Sequence, residues 1–281
     1  MAELTTNANI TWCPGCGNFG IYNAFQRAVS QLEEQGKKRT HIAITSGIGC
    51  HGKISDYLKL NGIYSIHGRS IATAEGIKFA NPHLTVVAFA GDGDAYGEGI
   101  SHLIFAAKRN ADITVIIHNN GVYALTTGQF SPTSEKGYTG PSTPNGSIEE
   151  PLNGLALMME AGATFVARGY AGKYKHLAEI MKEAMLHHGF SIIDTLQPSV
   201  VFNNTYAEYN KKAEIIENTP DNFDESIQLA KKNDDTIPLG IFLKTEKPVF
   251  EEQLLSHRVP ATDHKSKQHI VKSIQSLLNN Q

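Results

Sequence analysis

Cysteine is almost missing from this chain. Only Cys13, Cys16 and Cys50 occur among its 281 residues. Three thiols cannot all pair within one chain, which excludes a disulfide framework as the scaffold. Long apolar runs are missing too. None approaches the roughly 18 residues that would suggest a bilayer span, so no membrane partner is expected. An excess of charge of either sign is also lacking. Lys and Arg number 25 against 28 Asp and Glu, a net charge of −3, which gives no reason to expect nucleic acid or an anionic surface as partner. Residues 1–10 are polar and hold no signal-peptide core, so the expected location is cytoplasmic. No internal repeat is visible.

What is present fits a globular protein. Apolar residues make up 41% and charged residues 19%, enough to build one large α/β domain or two small ones. Ile21, Ala24, Phe25, Ala28, Val29 and Leu32 recur at three- and four-residue steps, which predicts a helix over 17–35, stopped by Gly36. Further helices are expected over 70–79, 97–109, 152–159 and 173–187. Strands are expected over 41–44, 85–90, 113–117, 165–168 and 191–196. This alternation predicts an α/β fold with a doubly wound, mostly parallel sheet. The stretch 121–151 is long and rich in Gly, Pro, Ser and Thr, as active-site loops often are. Residues 1–202 read as the main domain. From residue 203 the chain is more polar and loses the rhythm, so 203–281 reads as an irregular extension, either packed on a partner or simply exposed.

Two strand ends carry the main functional signal. Gly91-Asp92-Gly93 ends the run 85–90, and Asn119-Asn120 ends the run 113–117. Parallel neighbours joined by one crossover helix place these ends side by side, at the sheet edge where α/β proteins bind ligands. A dinucleotide turn would read G-x-G-x-x-G. Here the next glycine, Gly97, comes one residue late, and Asp94 would face a pyrophosphate. A carboxylate, an amide oxygen and a nearby carbonyl instead suit Mg²⁺ shared with a diphosphate. Alone, the triplet is equally a plain turn with acidic residues.

The cysteines cluster in the first fifth of the chain, two as Cys13-Pro14-Gly15-Cys16. Core thiols would be scattered, so a metal or redox centre is the better reading. A thioredoxin-like motif should follow a strand, and 5–11 is a poor one. A zinc site needs a fourth ligand, for which His51 beside Cys50 is a weak candidate. An iron–sulfur cluster also suits thiolates from two segments and normally takes four.

Six motifs in order, Trp12-Cys13-Pro14-Gly15-Cys16-Gly17, Gly47-Ile48-Gly49-Cys50, His67-Gly68-Arg69, Gly91-Asp92-Gly93-Asp94, Asn119-Asn120 and Thr127-Gly128-Gln129-Phe130-Ser131-Pro132-Thr133, resemble the β subunit of 2-oxoacid:ferredoxin oxidoreductases. The resemblance covers roughly residues 10–205. It implies oxidative decarboxylation of a 2-oxoacid with thiamine diphosphate and Mg²⁺ as cofactors. Coenzyme A would take the acyl group, and an iron–sulfur cluster would pass electrons to ferredoxin. It further implies that Asp92, Asn120 and the Val122 carbonyl hold the metal. Ile48, Gly49, Cys50, His51, His67, Gly68, Arg69, Ser70, Gly91, Gly93, Asp94, Ala124 and Leu125 match stretches around the thiamine cofactor. Lys53 matches a lysine facing the substrate carboxylate, although a lysine is also an ordinary surface residue. Cys13, Cys16 and Cys50 match cluster ligands.

The chain departs from the family pattern where a fourth cysteine follows Gln197-Pro198. Ser199 stands there. Ser199 could ligate through oxygen, the cluster could be a three-iron one, or it could have been lost. Retention with a non-standard fourth position is favoured, because three clustered cysteines are hard to explain otherwise. No glutamate here matches the one that activates the aminopyrimidine ring. The resemblance places it on an α subunit, which implies a heterodimer or a dimer of heterodimers that is inactive without its partner. The favoured substrate is 2-oxoglutarate or a broad range of 2-oxoacids, with pyruvate next. A non-redox thiamine decarboxylase or transferase subunit would explain Asp92 and Asn120 but not the cysteines. A small iron–sulfur or zinc module would explain the cysteines alone.

Overall fold

A computed structural model describes residues 4–256 and 267–279. The strands in chain order are β1 Ile42–Ser46, β2 Asn61–Tyr64, β3 Thr85–Gly91, β4 Thr114–Asn119, β5 Val122–Tyr123, β6 Gln129–Phe130, β7 Phe165–Tyr170, β8 Ser191–Leu196, β9 Ala213–Ile215 and β10 Ile237–Lys244. The helices are α1 Asn18–Glu34, α2 Ile54–Tyr57, α3 Ser70–Ala80, α4 Ile100–Arg109, α5 Gly154–Ala161, α6 Tyr174–Leu186, α7 Tyr206–Lys212, α8 Phe223–Lys231, α9 Phe250–Leu255 and α10 Lys267–Asn279. Eight strands form one sheet in the order β2-β1-β3-β4-β8-β7-β10-β9, and β5 with β6 forms a separate hairpin.

The α/β doubly wound reading holds. From β2 to β7 every pairing is parallel. The near-continuous apolar runs of β3 and β4 are buried, as expected where helices cover both sheet faces. One face carries α1 and α6. The six residues of the α1 stripe are fully buried there with Phe89 and Ile116. The other face carries α3, α4, α5 and α8 around Leu103, Val115, Met158 and Phe242.

The stretch after residue 202 is more regular than its polarity suggested. β10 pairs antiparallel with β7, and β9 pairs with β10. Its apolar residues are few but well placed: Ile237, Leu239 and Phe242 are buried. Strand β2 escaped sequence reading because all four of its residues are exposed at the sheet edge, so no apolar pattern marks it. The Gly91-Asp92-Gly93 segment is no loose turn. Asp92 is already helical (φ −58°, ψ −47°), and Gly93–Glu98 forms a π-helical turn leading into α4. Such widened turns concentrate at functional sites.

Candidate active site

Strands β3 and β4 are neighbours, with Gly91 paired to His118. Asp92 and the Asn119-Asn120 pair therefore leave the sheet side by side. A cavity opens at this carboxyl edge. Of the residues expected around it, Ile48, Gly49, Cys50, His51, His67, Gly91, Asp92, Gly93, Asp94, Asn120, Val122, Ala124 and Leu125 line it. Gly68, Arg69, Ser70 and Lys53 do not. Gly68 acts one step back, its N–H donating to Asp94 at 2.7 Å. Arg69 is exposed and precedes α3, while Ser70 is buried and its carbonyl accepts from Thr45. Lys53 is half-buried beside Cys50, whose thiolate its charge favours.

Asp92 is the most perturbed carboxyl at the cavity. It is 1% exposed, and burial pushes its pKa up to about 6, with Asp194 adding repulsion. Ser131 and Thr133 hydroxyls oppose that rise, and both donate to Oδ2, so neither satisfies Oδ1. Among the described residues no Lys, Arg or His pairs with this carboxylate. Asn120 faces the same cavity, with its Oδ1 accepting from the Val122 N–H at 3.1 Å and its carbonyl from Asn203 at 2.9 Å.

Asp94 is buried between two histidines. Its carboxylate lies 2.9 Å from His67 Nδ1 and 3.5 Å from His51 Nε2. Glycines make this crowding possible: a Cβ on Gly47 would collide with the Asp94 carboxylate, and one on Gly91 would meet His51 Nδ1 at 2.9 Å.

Four lining residues were not assigned from sequence: His118, Tyr123, Thr126 and Gln197. His118 is buried and neutral, since burial and the His51 charge push its pKa well below the ordinary value. Tyr123 packs over Gly93 and donates to Glu98; burial, then the Glu98 charge, pushes its pKa well up. Each was partly legible, because each immediately borders a motif that was read. Among the described residues no glutamate lines the cavity.

The cysteines lie at one side of this site. Cys50 lines the cavity, and the Trp12 indole N–H donates to its carbonyl at 2.6 Å. Cys13 is exposed; Cys16 and Cys50 are half-buried. Burial pushes both the Cys16 and Cys50 thiols up, and the Cys13 charge adds to each. No three His, Cys, Asp or Glu side chains among the described residues converge as they would on a single ion. The Ser199 segment reaches the same place: Pro198 accepts from the Gly17 N–H, and Tyr206 donates to the Gly15 carbonyl. Ser199 itself is buried and paired with Asn203 through both backbone bonds.

A parallel sheet with a buried aspartate and an asparagine at adjacent strand ends has the ligand-binding carboxyl edge of an open α/β fold. Residues 47–195 match the family model described as thiamine pyrophosphate enzyme, C-terminal TPP binding domain. Residues 200–258 match the family model for the C-terminal part of the pyruvate ferredoxin oxidoreductase β chain. The chain is 42% identical to 2-oxoacid:ferredoxin oxidoreductase subunit beta of Saccharolobus solfataricus, over 93% of this chain and 90% of that one. It is 34% identical to 2-oxoglutarate synthase subunit KorB of Archaeoglobus fulgidus, over 92% and 94%. The solved 2-oxoglutarate:ferredoxin oxidoreductase from Magnetococcus marinus, with 2-oxoglutarate, coenzyme A and succinyl-CoA bound, superposes with a TM-score of 0.87 at 35% identity, covering 96% of this chain and 94% of that one. This chain belongs to the family of 2-oxoacid:ferredoxin oxidoreductase β subunits, and is thus a subunit of an oxidoreductase. No described helix is long and apolar enough to cross a membrane.

Proposed function

We propose that this chain supplies the diphosphate and metal side of a thiamine site, and the electron exit, of an enzyme that oxidatively decarboxylates a 2-oxoacid and transfers the acyl group to coenzyme A. One observation carries this reading. Asp92, almost wholly buried and unpaired with any Lys, Arg or His among the described residues, faces the same cavity as Asn120 and Cys50, and no glutamate lines that cavity among the described residues. A divalent cation is what such a carboxylate calls for, and a diphosphate would complete its shell. Asp92, Asn120 and the Val122 carbonyl would hold Mg²⁺. Bound there, thiamine diphosphate supplies the electron sink for loss of CO₂.

The remaining roles belong to this chain's own residues. Lys53 stands beside Cys50 outside the cavity wall, where its charge favours the Cys50 thiolate. Asp94 lies between His51 and His67 at the cavity wall. Cys13, Cys16 and Cys50 would hold the iron–sulfur cluster, with Ser199 as the fourth position. Three thiols from two chain segments suit an iron–sulfur cluster better than a lone zinc. With no glutamate lining the cavity among the described residues, an α subunit would supply it, in a heterodimer or a dimer of heterodimers, and ferredoxin is the natural acceptor. The names of the relatives favour 2-oxoglutarate or several 2-oxoacids over pyruvate alone.

The test is 2-oxoacid- and coenzyme-A-dependent viologen reduction by this chain co-expressed anaerobically with its α subunit. Turnover with both and none with this chain alone is the expected result. Decarboxylation without viologen reduction would replace the redox reading with a non-redox one.

A further inference from the structure

A second cavity, of about 440 Å³, adjoins the first. Its volume is in the roughly 300–1,000 Å³ range of small-molecule sites. Asn119 lines it, one residue before Asn120 of the first cavity, and so does Thr133, which donates to Asp92. Its most unusual feature is a pair of opposite charges. Arg168 of β7 and Asp194 of β8 are partners in register on parallel strands. Their side chains therefore leave the same sheet face, from backbones about 4.8 Å apart. Arg168 is 7% exposed and Asp194 6%, and both line the cavity.

Neither charge has a counter-ion among the described residues. Arg168 Nη1 donates to the Lys232 and Pro238 carbonyls at 3.3 and 3.4 Å, and Nη2 to the Ala230 carbonyl at 2.6 Å. These bonds tie β7 to the end of α8, but they use neutral acceptors. A guanidinium has five N–H donors, so Nε–H and one Nη2 hydrogen are left over. Asp194 likewise has only neutral donors: the Tyr96 hydroxyl at 2.8 Å, and the Asn119 amide at 3.0 and 3.2 Å. No ion pair closes between the two. Burial pushes the Asp194 carboxyl up and the Arg168 guanidinium down, and each charge offsets part of the other's shift. Buried charges call for partners. A simple anion in this cavity would meet Asp194, and a simple cation would meet Arg168. A molecule carrying both charges on one carbon satisfies the pair. The wall also has an apolar side, formed by Pro151, Leu152, Leu155 and Leu196.

We propose that this cavity is a second ligand site, and that it takes an α-amino acid with an apolar side chain, its carboxylate on Arg168 and its ammonium on Asp194. The free N–H groups of Arg168 suit a carboxylate, and the uncovered lone pairs of Asp194 suit an ammonium. Leu152, Leu155 and Leu196 receive the side chain. The inference does not depend on what fills the first cavity.

The experiment is calorimetric titration of the complex co-expressed with the α subunit. The probes are L-leucine and its two halves, 4-methylpentanoate, which lacks the ammonium, and 3-methylbutylamine, which lacks the carboxylate. L-Leucine should bind saturably, and each half at least about tenfold more weakly, the loss of one charged contact. Asp194→Asn keeps an acceptor for Tyr96 but removes the charge. It should weaken leucine binding at least about tenfold and strengthen that of 4-methylpentanoate, an inversion that a purely structural role for Asp194 would not produce. Asn233→Trp, at the exposed mouth of the cavity, stands in if the buried variant does not fold, and should weaken leucine binding by a similar factor. No leucine binding, equal binding of leucine and 4-methylpentanoate, or wild-type leucine affinity in the variants would overturn the proposal.

Discussion

Asp92 is where burial and charge conflict most at the cavity. Its pKa is pushed up to about 6 by burial, from an ordinary 3.8. A raised pKa in the fold means that this group's contribution to stability is full below about 3.8 and lost as pH rises through about 6. The difference corresponds to about 3 kcal/mol. Metal-free protein in chelator should therefore lose thermal stability between roughly pH 4 and 6.5 relative to Asp92→Asn. Mg²⁺ with thiamine diphosphate should restore it at neutral pH in the wild type only. Matching pH profiles for the two proteins would show that Asp92 is not the uncompensated charge. Ser199 is the second informative residue. It is buried on a segment hydrogen-bonded to the Cys13–Gly17 loop. Ser199→Cys should slow iron loss to a chelator several-fold, and an unchanged rate would place the fourth ligand elsewhere.

At the scale of elements, the site exists because chain segments approach more closely than side chains normally allow. The end of β1 at Gly47 lies against the Asp94 carboxylate, and Gly93 lies under the Tyr123 ring. Gly47→Ala should cost about 2 kcal/mol through overpacking. It should also weaken thiamine diphosphate binding at least tenfold, read by calorimetry on the complex with the α subunit. Wild-type affinity would mean that Asp94 does not shape the cavity. The β5–β6 hairpin shows the same economy, holding Thr127 at φ 79°, a conformation that β-branched residues avoid. Residues 122–126 of this hairpin line the cavity, so local strain accompanies a functional position.

At the scale of the whole molecule, the polar stretch after residue 202 completes the sheet instead of merely trailing from it. Removing it would turn β7 into an open edge and strip Ile227, Ala230 and Phe242 from the core. A chain ending at residue 202 should aggregate or fail to unfold cooperatively. A soluble truncated chain with a sharp thermal transition would show instead that 1–202 is an independent domain.

The sequence alone determined what depends on local order. The α1 stripe follows from its three- and four-residue spacing, and the two diagnostic strands follow from runs of apolar residues. The meeting of Asp92 and Asn120 follows from a single right-handed crossover. The edge strand β2 and the insertion of β10 beside β7 were decided only by tertiary structure. Their backbone pairing depends on what lies opposite, which exposed or mixed sequence does not encode. Tertiary structure alone also brought His118 to Asn18 and Gln197 to Cys16. Their positions in the chain lie up to 181 residues apart, and only folding makes them neighbours. Polar side chains declare a role only when burial leaves them a single partner.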